Sequence, residues 1–222
     1  MPRMGVDTRN RRIQHAVVRL ILDRGLGAGA PLPTETELMA DLGVSRNSVR
    51  EALKALQALD IVEIRHGYGT YVGRASLAPL VDGLTFRALA LRDGEAGALA
   101  EILQVREVLE EGLILRVAEA VTEERLDALD SVLERMEGAV GEEFGELDRE
   151  FGELLYDSLG SALVPELLGV FREVSRRVSG EIGERGGLAP ASEVRVGRYR
   201  GVVAALRRRD VEGARRALTG GA

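Results

Sequence analysis

The chain has 222 residues and no cysteine, so its length suits two compact domains or one large one, and disulfides, thiol catalysis and cysteine-held zinc are excluded. The net charge of -6 is unevenly distributed, because residues 1–74 carry 11 basic and 8 acidic side chains whereas the rest of the chain carries 19 and 28. The acidic total therefore does not argue against nucleic-acid binding by the N-terminal part.

Hydrophobic runs are short throughout the sequence. There is no stretch of about 18 consecutive apolar residues, the length that a transmembrane helix requires. The N-terminus also lacks the apolar core of a secretory signal peptide. We therefore expect a cytoplasmic protein that does not enter a membrane.

The first elements in chain order are two helices. Apolar residues at helical spacing predict a helix over residues 9–23, and the glycine-rich stretch 25–31 ends it. Thr34 and Glu37 then have the spacing of a capping box, which predicts the start of a second, short helix that ends near Leu42.

The next segment, 43–59, is predicted to be a helix with two unlike faces. Ser45 can cap its start, and Gly43 suits the tight turn before it. The apolar stripe comprises Val49, Ala52, Leu53, Leu56 and Leu59. The opposite face carries Arg46, Asn47, Arg50, Lys54 and Gln57. This arrangement is typical of a DNA recognition helix, although an ordinary amphipathic surface helix has the same pattern.

Residues 61–72 alternate apolar and polar side chains around a glycine turn, which predicts a β-hairpin. A hairpin directly after a helix-turn-helix is a wing, so the whole region predicts a winged helix-turn-helix.

Four motifs give this region a family resemblance: Leu32-Pro33-Thr34-Glu35, Leu42-Gly43-Val44-Ser45-Arg46, Val49-Arg50-Glu51-Ala52-Leu53 and Gly67-Tyr68-Gly69-Thr70-Tyr71-Val72. With these motifs, residues 9–73 resemble the DNA-binding domain of GntR-family transcriptional regulators. The resemblance implies that the arginines contact operator bases or phosphates and that the wing tip enters the minor groove. The candidate DNA-binding residues are Thr34, Ser45, Arg46, Asn47, Ser48, Arg50, His66 and Gly67. Thr36 departs from the family, which usually has arginine at this position.

The two histidines carry little further information. His66 has either of two roles, a DNA contact at the wing tip or a polar residue in a turn. His15 lies in the first helix and is expected to be structural or to face solvent. Because the two are not paired at metal-ligand spacing, a histidine-based zinc site is not expected.

A short linker, 74–78, separates the winged domain, 1–73, from a second domain, 79–222. Helical periodicity predicts about seven helices in this second domain. They are expected near 79–92, 96–120, 122–139, 143–159, 162–183, 190–208 and 211–219. The predicted fold class is therefore mainly α, with a winged helix-turn-helix of three helices and a hairpin followed by an all-helical bundle.

The second domain resembles the FCD ligand-binding domain of the FadR branch of the GntR family. The resemblance lies in segments 105–110, 148–151 and 204–210, and it implies effector binding and dimerisation. Many members hold a divalent metal with an aspartate and three histidines. Here Asp148 matches the aspartate, but the histidine positions are occupied by Gly152, Tyr199 and Gly221, so we expect no metal and no cofactor.

Helical geometry places Arg106, Asp148 and Tyr199 on faces shared with apolar residues, and a buried charge is costly unless it is paired. Arg106 and Asp148 can therefore form a structural ion pair, or they can line an effector pocket in which Arg106 binds a carboxylate or phosphate. The candidate effector-binding residues are Arg106, Asp148, Gly152, Tyr199 and Arg195, with Arg172 and Arg176 as weaker candidates.

These patterns predict a homodimeric repressor that binds a palindromic operator in double-stranded DNA and responds to a small organic effector, with a carboxylate as the expected class. The alternative is a regulator without an effector, whose second domain only dimerises. Inward-facing Asp148 and Tyr199 could serve as acid and base, but there is no nucleophile-plus-base arrangement and no phosphate-binding loop, so we expect no enzyme activity.

Overall fold

The structure is a computed structural model that describes residues 4–90, 97–182 and 192–219. The chain divides into two compact units, Met1–Pro79 and Leu80–Ala222. The first unit combines three helices with a two-stranded hairpin, and the described part of the second contains helices alone. The predicted fold class, a winged helix-turn-helix followed by a helical bundle, is confirmed.

The first unit begins with three helices whose ends follow from the sequence. They are α1 (Met4–Asp23), α2 (Glu35–Leu42) and α3 (Arg46–Ala58). The predicted capping box starts α2, since the backbone N–H of Thr34 donates to Glu37 Oε2 at 2.7 Å and the N–H of Glu37 donates to Thr34 Oγ at 3.3 Å. Gly43 ends α2 with a φ of 61°, in the left-handed region that glycine adopts readily, and so turns the chain into α3. The first helix begins at Met4 rather than at the expected Arg9.

The apolar stripe of α3 lies at the centre of the N-terminal core. The buried core residues include Val17, Leu38, Val49, Leu53, Leu56 and Val62. Leu59, expected in the same stripe, is instead 50% exposed, because α3 ends at Ala58 and the helical face does not continue. The hairpin consists of β1 (Val62–Arg65) and β2 (Gly69–Val72), which are antiparallel with Val62 opposite Val72.

The residues after the hairpin are held against the end of α3. The carbonyl of Asp60 accepts a hydrogen bond from the N–H of Ala75, and its carboxylate accepts one from the N–H of Ser76 at 3.0 Å. A side chain at Gly73 would overlap the Asp60 carbonyl, so glycine is required there. The predicted linker, 74–78, thus starts from a fixed point on the winged unit.

The second unit is built from seven described helices. They are α4 (Ala78–Ala90), α5 (Gly97–Ala120), α6 (Glu123–Met136), α7 (Gly141–Asp157), α8 (Leu163–Ile182), α9 (Ser192–Arg207) and α10 (Val211–Thr219). Their bounds agree with the expected segments to within a few residues. The expected helix ends at residues 92, 96, 183 and 190 lie outside the described residues.

Apolar residues from six of these helices form the core of the bundle. Its fully buried members include Ile114, Leu129, Leu133, Phe151, Val174, Val202 and Ala214. Two acidic residues, Glu110 and Asp148, are buried among them. None of the described helices combines the length and the apolar character that crossing a membrane requires. Buried acids are unusual in such a core, because acidic side chains are rarely fully buried unless they are paired.

Candidate nucleic-acid interface and effector site

The outer face of α3 exposes the basic side chains that were predicted to contact DNA. Arg46 and Arg50 have side chains that are 57% and 54% exposed, and Asn47 is exposed beside them. The hydroxyl of Ser45 caps the helix by accepting the N–H of Ser48 at 3.3 Å, and it lies 3.0 Å from the Ser48 hydroxyl. The two arginines and the amide therefore face solvent, whereas the two serine hydroxyls take part in the cap.

Glu35, the first residue of α2, holds both arginines of α3. Its carboxylate accepts hydrogen bonds from Arg50 Nε at 2.8 and 3.0 Å, and one of its oxygens lies 3.9 Å from Arg46 Nε. Sequence reasoning missed this role. The only signal in the sequence was that Glu35 belongs to the motif Leu32-Pro33-Thr34-Glu35, and the sequence did not show which residue this carboxylate would pair with. Because it bonds Arg50 and lies near Arg46, Glu35 positions the two guanidinium groups beside each other in the absence of DNA.

The wing presents a small, well-held turn. His66 and Gly67 are both exposed between β1 and β2, and Gly67 has a φ of 81°, which favours glycine. Below them, the guanidinium of Arg65 lies 4.2 Å from the ring centre of Tyr71 and 2.8 Å from a carboxylate oxygen of Glu63. These contacts brace the two strands beneath the exposed turn.

Thr34 is exposed, but its hydroxyl is already engaged. It donates to Glu37 Oε2 at 2.8 Å and accepts the N–H of the same residue. Hydrogen bonds from the backbone and then the side chain of Thr34 lower the pKa of the Glu37 carboxyl. The main structural role of Thr34 is to cap α2, while its predicted DNA contact stays a prediction. Thr36, the departure from the family, is exposed on the same helix.

Three side chains from two other helices of the second unit meet at the buried carboxylate of Asp148, which is 3% exposed on α7. Tyr199 of α9 donates its hydroxyl proton to Asp148 Oδ1 at 2.8 Å. Arg195 Nη1, also on α9, lies 3.4 Å from Oδ1, and Arg172 Nε of α8 lies 3.8 Å from Oδ2. Both arginine distances exceed the roughly 2.7–2.9 Å of a charge-assisted hydrogen bond. The two guanidinium groups therefore balance the charge of Asp148 without bonding it tightly.

Arg106 belongs to the same region but has a different partner. Its Nη2 and Nε lie 2.9 and 3.0 Å from Glu110 Oε1, one turn along α5, and both side chains are largely buried. Burial alone would lower the pKa of Arg106, but the charge of Glu110, followed by smaller effects of Tyr199 and Asp148, raises it. The structure thus gives Arg106 and Asp148 separate ion-pair partners, in place of the direct pair that the sequence allowed.

Two buried tyrosines complete the cluster. The Tyr199 ring stacks on Phe151 with ring centres 4.1 Å apart, and burial, followed by the charge of Asp148, raises the pKa of Tyr199. Tyr156 is 2% exposed, and its hydroxyl has no hydrogen-bond partner among the described residues. Burial, followed by the charge of Glu110, raises the pKa of Tyr156 well above its usual value. Sequence reasoning missed Tyr156, although it lies two turns after Asp148 on the same face of α7.

The residues present do not fit a divalent cation. Space beside Gly152 is occupied by Arg172, because a side-chain carbon at Gly152 would lie 2.7 Å from Arg172 Nη1. Tyr199 bonds to Asp148, and Gly221 lies outside the described residues. Among the residues that the structure describes, no three His, Cys, Asp or Glu side chains are grouped to hold a metal ion. Two cationic groups next to Asp148 would also repel such an ion.

The two weaker effector-site candidates, Arg172 and Arg176, differ in burial. Arg176 is on the surface, with a side chain that is 71% exposed and pairs with Glu173 at 2.6 Å. Arg172 is only 13% exposed and faces the buried cluster. It also forms part of the wall of an open cleft of about 550 Å³ between α7 and α8, near Gly160. Arg172 therefore connects the buried cluster to the surface.

Comparison with known proteins identifies both units. Residues 9–72 match the family described as bacterial regulatory proteins, gntR family, and residues 101–220 match the family described as FCD domain. The two matches account for the winged unit and for most of the helical unit. Both families consist of transcriptional regulators and not of enzymes.

Individual relatives agree with the family matches. The uncharacterized HTH-type transcriptional regulator YcbG of Bacillus subtilis is 30% identical over 211 residues, which cover 92% of this chain and 85% of YcbG. The HTH-type transcriptional repressor NanR of Cronobacter sakazakii is 33% identical over 153 residues, covering 68% of this chain and 58% of NanR. The solved structure of Streptococcus agalactiae GntR matches with a TM-score of 0.65, at 25% identity and over 95% of each chain.

Proposed function

Because the chain belongs to the GntR family of bacterial transcriptional regulators and carries an FCD domain, we propose that it is a cytoplasmic repressor that binds a palindromic operator as a homodimer. A small organic carboxylate, bound in the C-terminal unit, releases the protein from DNA or modulates its binding. The observation that carries the proposal is the exposed basic face of α3, with Arg46, Asn47 and Arg50 opposite a buried apolar stripe.

Arg46 and Arg50 are the main DNA contacts in this proposal. A guanidinium group can donate two parallel hydrogen bonds to the acceptor edge of guanine, or bind a phosphate. Glu35 holds Arg50 at 2.8 Å and lies 3.9 Å from Arg46, so the two side chains are already close together before they meet DNA. On binding, base edges or phosphates replace the carboxylate as acceptors.

The remaining candidate residues lie next to these arginines in sequence, at the start of α2 or at the hairpin turn. Asn47 can pair with an adenine edge, since its amide offers both a donor and an acceptor. His66 and Gly67, exposed at the hairpin turn, enter the minor groove in this proposal. The hydroxyls of Thr34, Ser45 and Ser48 contribute contacts to phosphates in addition to their roles at the helix starts.

The homodimer is supported by an exposed apolar stripe on α5. Val105, Val108 and Leu115 are 54%, 65% and 45% exposed, and the small residue Gly112 lies between them on the same face. Their spacing of three, four and three residues is that of helices that pack side by side. A single recognition helix reads only a few base pairs, so a second copy of the chain is the natural occupant of this stripe.

The sign of regulation and the role of the cluster are proposed on different grounds. NanR, which matches 68% of this chain, is named a repressor, and this favours repression here. The buried guanidinium groups around Asp148 favour an anionic effector. The alternative, a regulator without an effector, is favoured by the pair between Arg106 and Glu110, because that pair is complete without a ligand.

The DNA proposal is tested by selecting duplexes from random sequence with the purified full chain and then footprinting the complex. We expect an inverted repeat protected on both halves. An Arg46→Ala chain should enrich the repeat more weakly, with the sequence relaxed at the position that Arg46 reads. Enrichment of a non-repeated site, or equal enrichment by the Arg46→Ala chain, would contradict the proposal.

The dimer is tested by sedimentation of Val108→Asp, with Val140→Asp as the matched control. Val140 is 73% exposed but lies outside the α5 stripe, at the start of α7. We expect the wild type and Val140→Asp to be dimers and Val108→Asp to shift to monomer, because a charge in an apolar interface is costly. A Val108→Asp dimer of unchanged stability would exclude this stripe as the interface.

A further inference from the structure

Tyr68, at the tip of the wing, is the most exposed of the large apolar side chains in the described part of the chain. Its exposed fraction is 82%, against 73% for Phe86 and Val140. Single exposed apolar residues are normal on a protein surface and need no special explanation. Tyr68 differs from them because hydrogen bonds fix its backbone on both sides while its ring stays in solvent.

The turn that leads into Tyr68 is a tight β-turn over residues 65–68. The N–H of Tyr68 donates to the carbonyl of Arg65 at 2.9 Å and closes the turn. Gly67 has a φ of 81°, whereas the φ of His66 is not positive, and this combination is that of a type II turn. Gly69 follows Tyr68 directly, with a φ of 112°. Tyr68 therefore lies between two glycines, and neither neighbour in sequence has a side chain that could cover its ring.

A series of side-chain contacts beneath the turn fixes the other side of the Tyr68 backbone. The carbonyl of Tyr68 accepts a hydrogen bond from the Tyr71 hydroxyl at 3.2 Å. The ring of Tyr71 lies 4.2 Å from the guanidinium of Arg65, which donates to both carboxylate oxygens of Glu63 at 3.0 and 2.8 Å. Arg65 is opposite Gly69 in the strand register, so no side chain at that position competes for its space. The backbone that carries the Tyr68 ring thus has little freedom left to lose on binding.

The charge and the shape of this tip fit the minor groove of DNA. Residues 66–68 include no acid, and Glu63, the acid of β1, is held by Arg65. The minor groove is about 6 Å wide, which admits a flat ring edge-on. The floor of an A·T pair presents only acceptors, to which a phenol hydroxyl can donate. A G·C pair adds the amino group of guanine, which projects into the space that the ring would occupy. A tyrosine in this groove therefore distinguishes A·T from G·C pairs.

We propose that Tyr68 is a specificity-determining residue, whose ring lies in the minor groove of the operator and favours A·T pairs there. The proposal rests on the proposed function, since it requires that α3 binds in the adjacent major groove. The ring packs against the deoxyribose walls, and the hydroxyl donates to adenine N3 or thymine O2. A tyrosine side chain buries roughly 150–250 Å², so Tyr68 supplies apolar contact area that His66 and Gly67 lack.

The test measures the affinity of the full chain for selected duplexes that are altered only in the minor groove. Each A·T pair of one half-site is replaced in turn by 2,6-diaminopurine·thymine, which adds the amino group of guanine to the minor groove and leaves the major groove unchanged. We expect this change to weaken wild-type binding about 2- to 10-fold at the pairs beneath the wing. At the same positions, inosine·cytosine should bind more tightly than G·C, because it lacks that amino group and has the same major groove.

Two variants separate the ring of Tyr68 from its hydroxyl. Tyr68→Ala should weaken binding of the selected duplex about tenfold or more and should bind the adenine and diaminopurine duplexes equally well. Tyr68→Phe should lose about 2- to 10-fold in affinity but still bind the diaminopurine duplex more weakly, because the ring remains. Leu22→Ala is the matched control, since Leu22 is a 71% exposed apolar residue of the same unit, at the end of α1. All three variants should unfold like the wild type, because the side chains are exposed.

Three results would overturn the proposal. They are a diaminopurine penalty that survives in Tyr68→Ala, a penalty that disappears in His66→Ala but not in Tyr68→Ala, and no penalty at any position in the wild type. Arg46→Ala, measured on the same duplexes, separates this proposal from the proposed function. Weaker binding by Arg46→Ala together with wild-type binding by Tyr68→Ala supports the proposed function and contradicts the role of Tyr68. A chain that selects no duplex contradicts both.

Discussion

The two units use arginine in opposite ways. In the winged unit, Arg46 and Arg50 are 57% and 54% exposed and share one acidic neighbour, Glu35. In the helical unit, Arg172 and Arg106 are 13% and 19% exposed and lie among buried acids. An exposed guanidinium stays hydrated, so it carries little desolvation cost, and it can bind the phosphates of DNA with an affinity that falls as salt increases. A buried guanidinium costs desolvation, so it is retained where its charge is balanced or where a ligand balances it.

This difference predicts how each unit responds to the loss of a charge. Removing an arginine from α3 changes binding and leaves the N-terminal core intact, because that core is made of apolar residues from all three helices and β1. Removing the Asp148 carboxylate from the buried cluster lowers the stability of the helical unit, because it leaves buried guanidinium groups without their acid. The following variants test that contrast, from the largest expected effect to the smallest.

Asp148→Ala should produce the largest loss of stability. It leaves the guanidinium groups of Arg172 and Arg195 buried without their carboxylate, which typically costs about 3–5 kcal/mol. The measurement is chemical unfolding followed by circular dichroism. Asp157→Ala removes the same side chain from the exposed end of α7, where Asp157 is 59% exposed and pairs with Arg125, and should cost about 1 kcal/mol or less. Equal losses in the two variants would contradict the contrast between the units.

Arg46→Ala and Arg50→Ala should each weaken operator binding by about 1–3 kcal/mol if the side chain makes a bidentate base contact. The unfolding transition of either variant should stay close to that of the wild type. Arg19→Ala removes an exposed arginine from α1 and should retain most of the affinity. Anisotropy titrations with a selected duplex and a random duplex give the measurement. A variant that loses affinity equally for both duplexes is a phosphate contact and not a base contact.

The buried tyrosines should make the helical unit sensitive to alkali. Burial, followed by nearby negative charge, raises the pKa values of Tyr156 and Tyr199 above the usual value of about 10. Their contribution to stability is complete below pH about 10 and is lost as pH rises, because the unfolded chain releases these protons first. Each contributes a slope of about 1.4 kcal/mol per pH unit in the free energy of unfolding.

The control for this alkaline effect is Tyr68, which is 82% exposed on the wing. Unfolding curves should be recorded between pH 9 and about 11.5. The free energy of unfolding should fall less steeply with pH for Tyr156→Phe than for the wild type or Tyr68→Phe. An unchanged slope in Tyr156→Phe would show that its hydroxyl is not held protonated by burial.

Thr34→Ala should cost the winged unit about 1 kcal/mol, because it removes the capping box of α2. Thr36→Ala, on the exposed face of the same helix, should be within about 0.5 kcal/mol of the wild type. If Thr34 also contacts a phosphate, its substitution additionally weakens DNA binding in the anisotropy assay. A large loss of DNA affinity with no loss of stability would show that Thr34 acts mainly as a DNA contact and not as the cap of α2.

Local features of the fold could be predicted from the sequence because their causes are local. Thr34 and Glu37 are three residues apart, and Gly43 adopts the left-handed conformation that only glycine adopts easily, so both ends of α2 follow from neighbouring residues. The alternation of apolar and polar residues over 61–72 likewise predicts the hairpin, because its two strands are neighbours in sequence and pair with each other. Leu59 departed from the pattern because a helix end cannot be placed to the residue by periodicity.

The site was only partly predictable, because its contacts join distant segments. Periodicity placed Arg106, Asp148 and Tyr199 inward, but it could not show that Arg172 and Arg195 come from other helices to Asp148. The pair between Arg106 and Glu110 was within reach, since residues four apart on a helix are neighbours. Glu35 was harder to find, because its bond to Arg50 crosses from one helix to the next.

The most direct test of the account is a titration of a selected duplex, with and without an organic carboxylate that raises the melting temperature of the protein, using wild type and Arg172→Gln. The account predicts that the ligand raises the dissociation constant of the wild type for DNA by roughly 5- to 150-fold, the range of an ordinary coupling between two sites. The Arg172→Gln chain should bind DNA equally well with and without the ligand. Unchanged DNA affinity of the wild type at saturating ligand would contradict the claim that the buried arginines regulate the exposed ones.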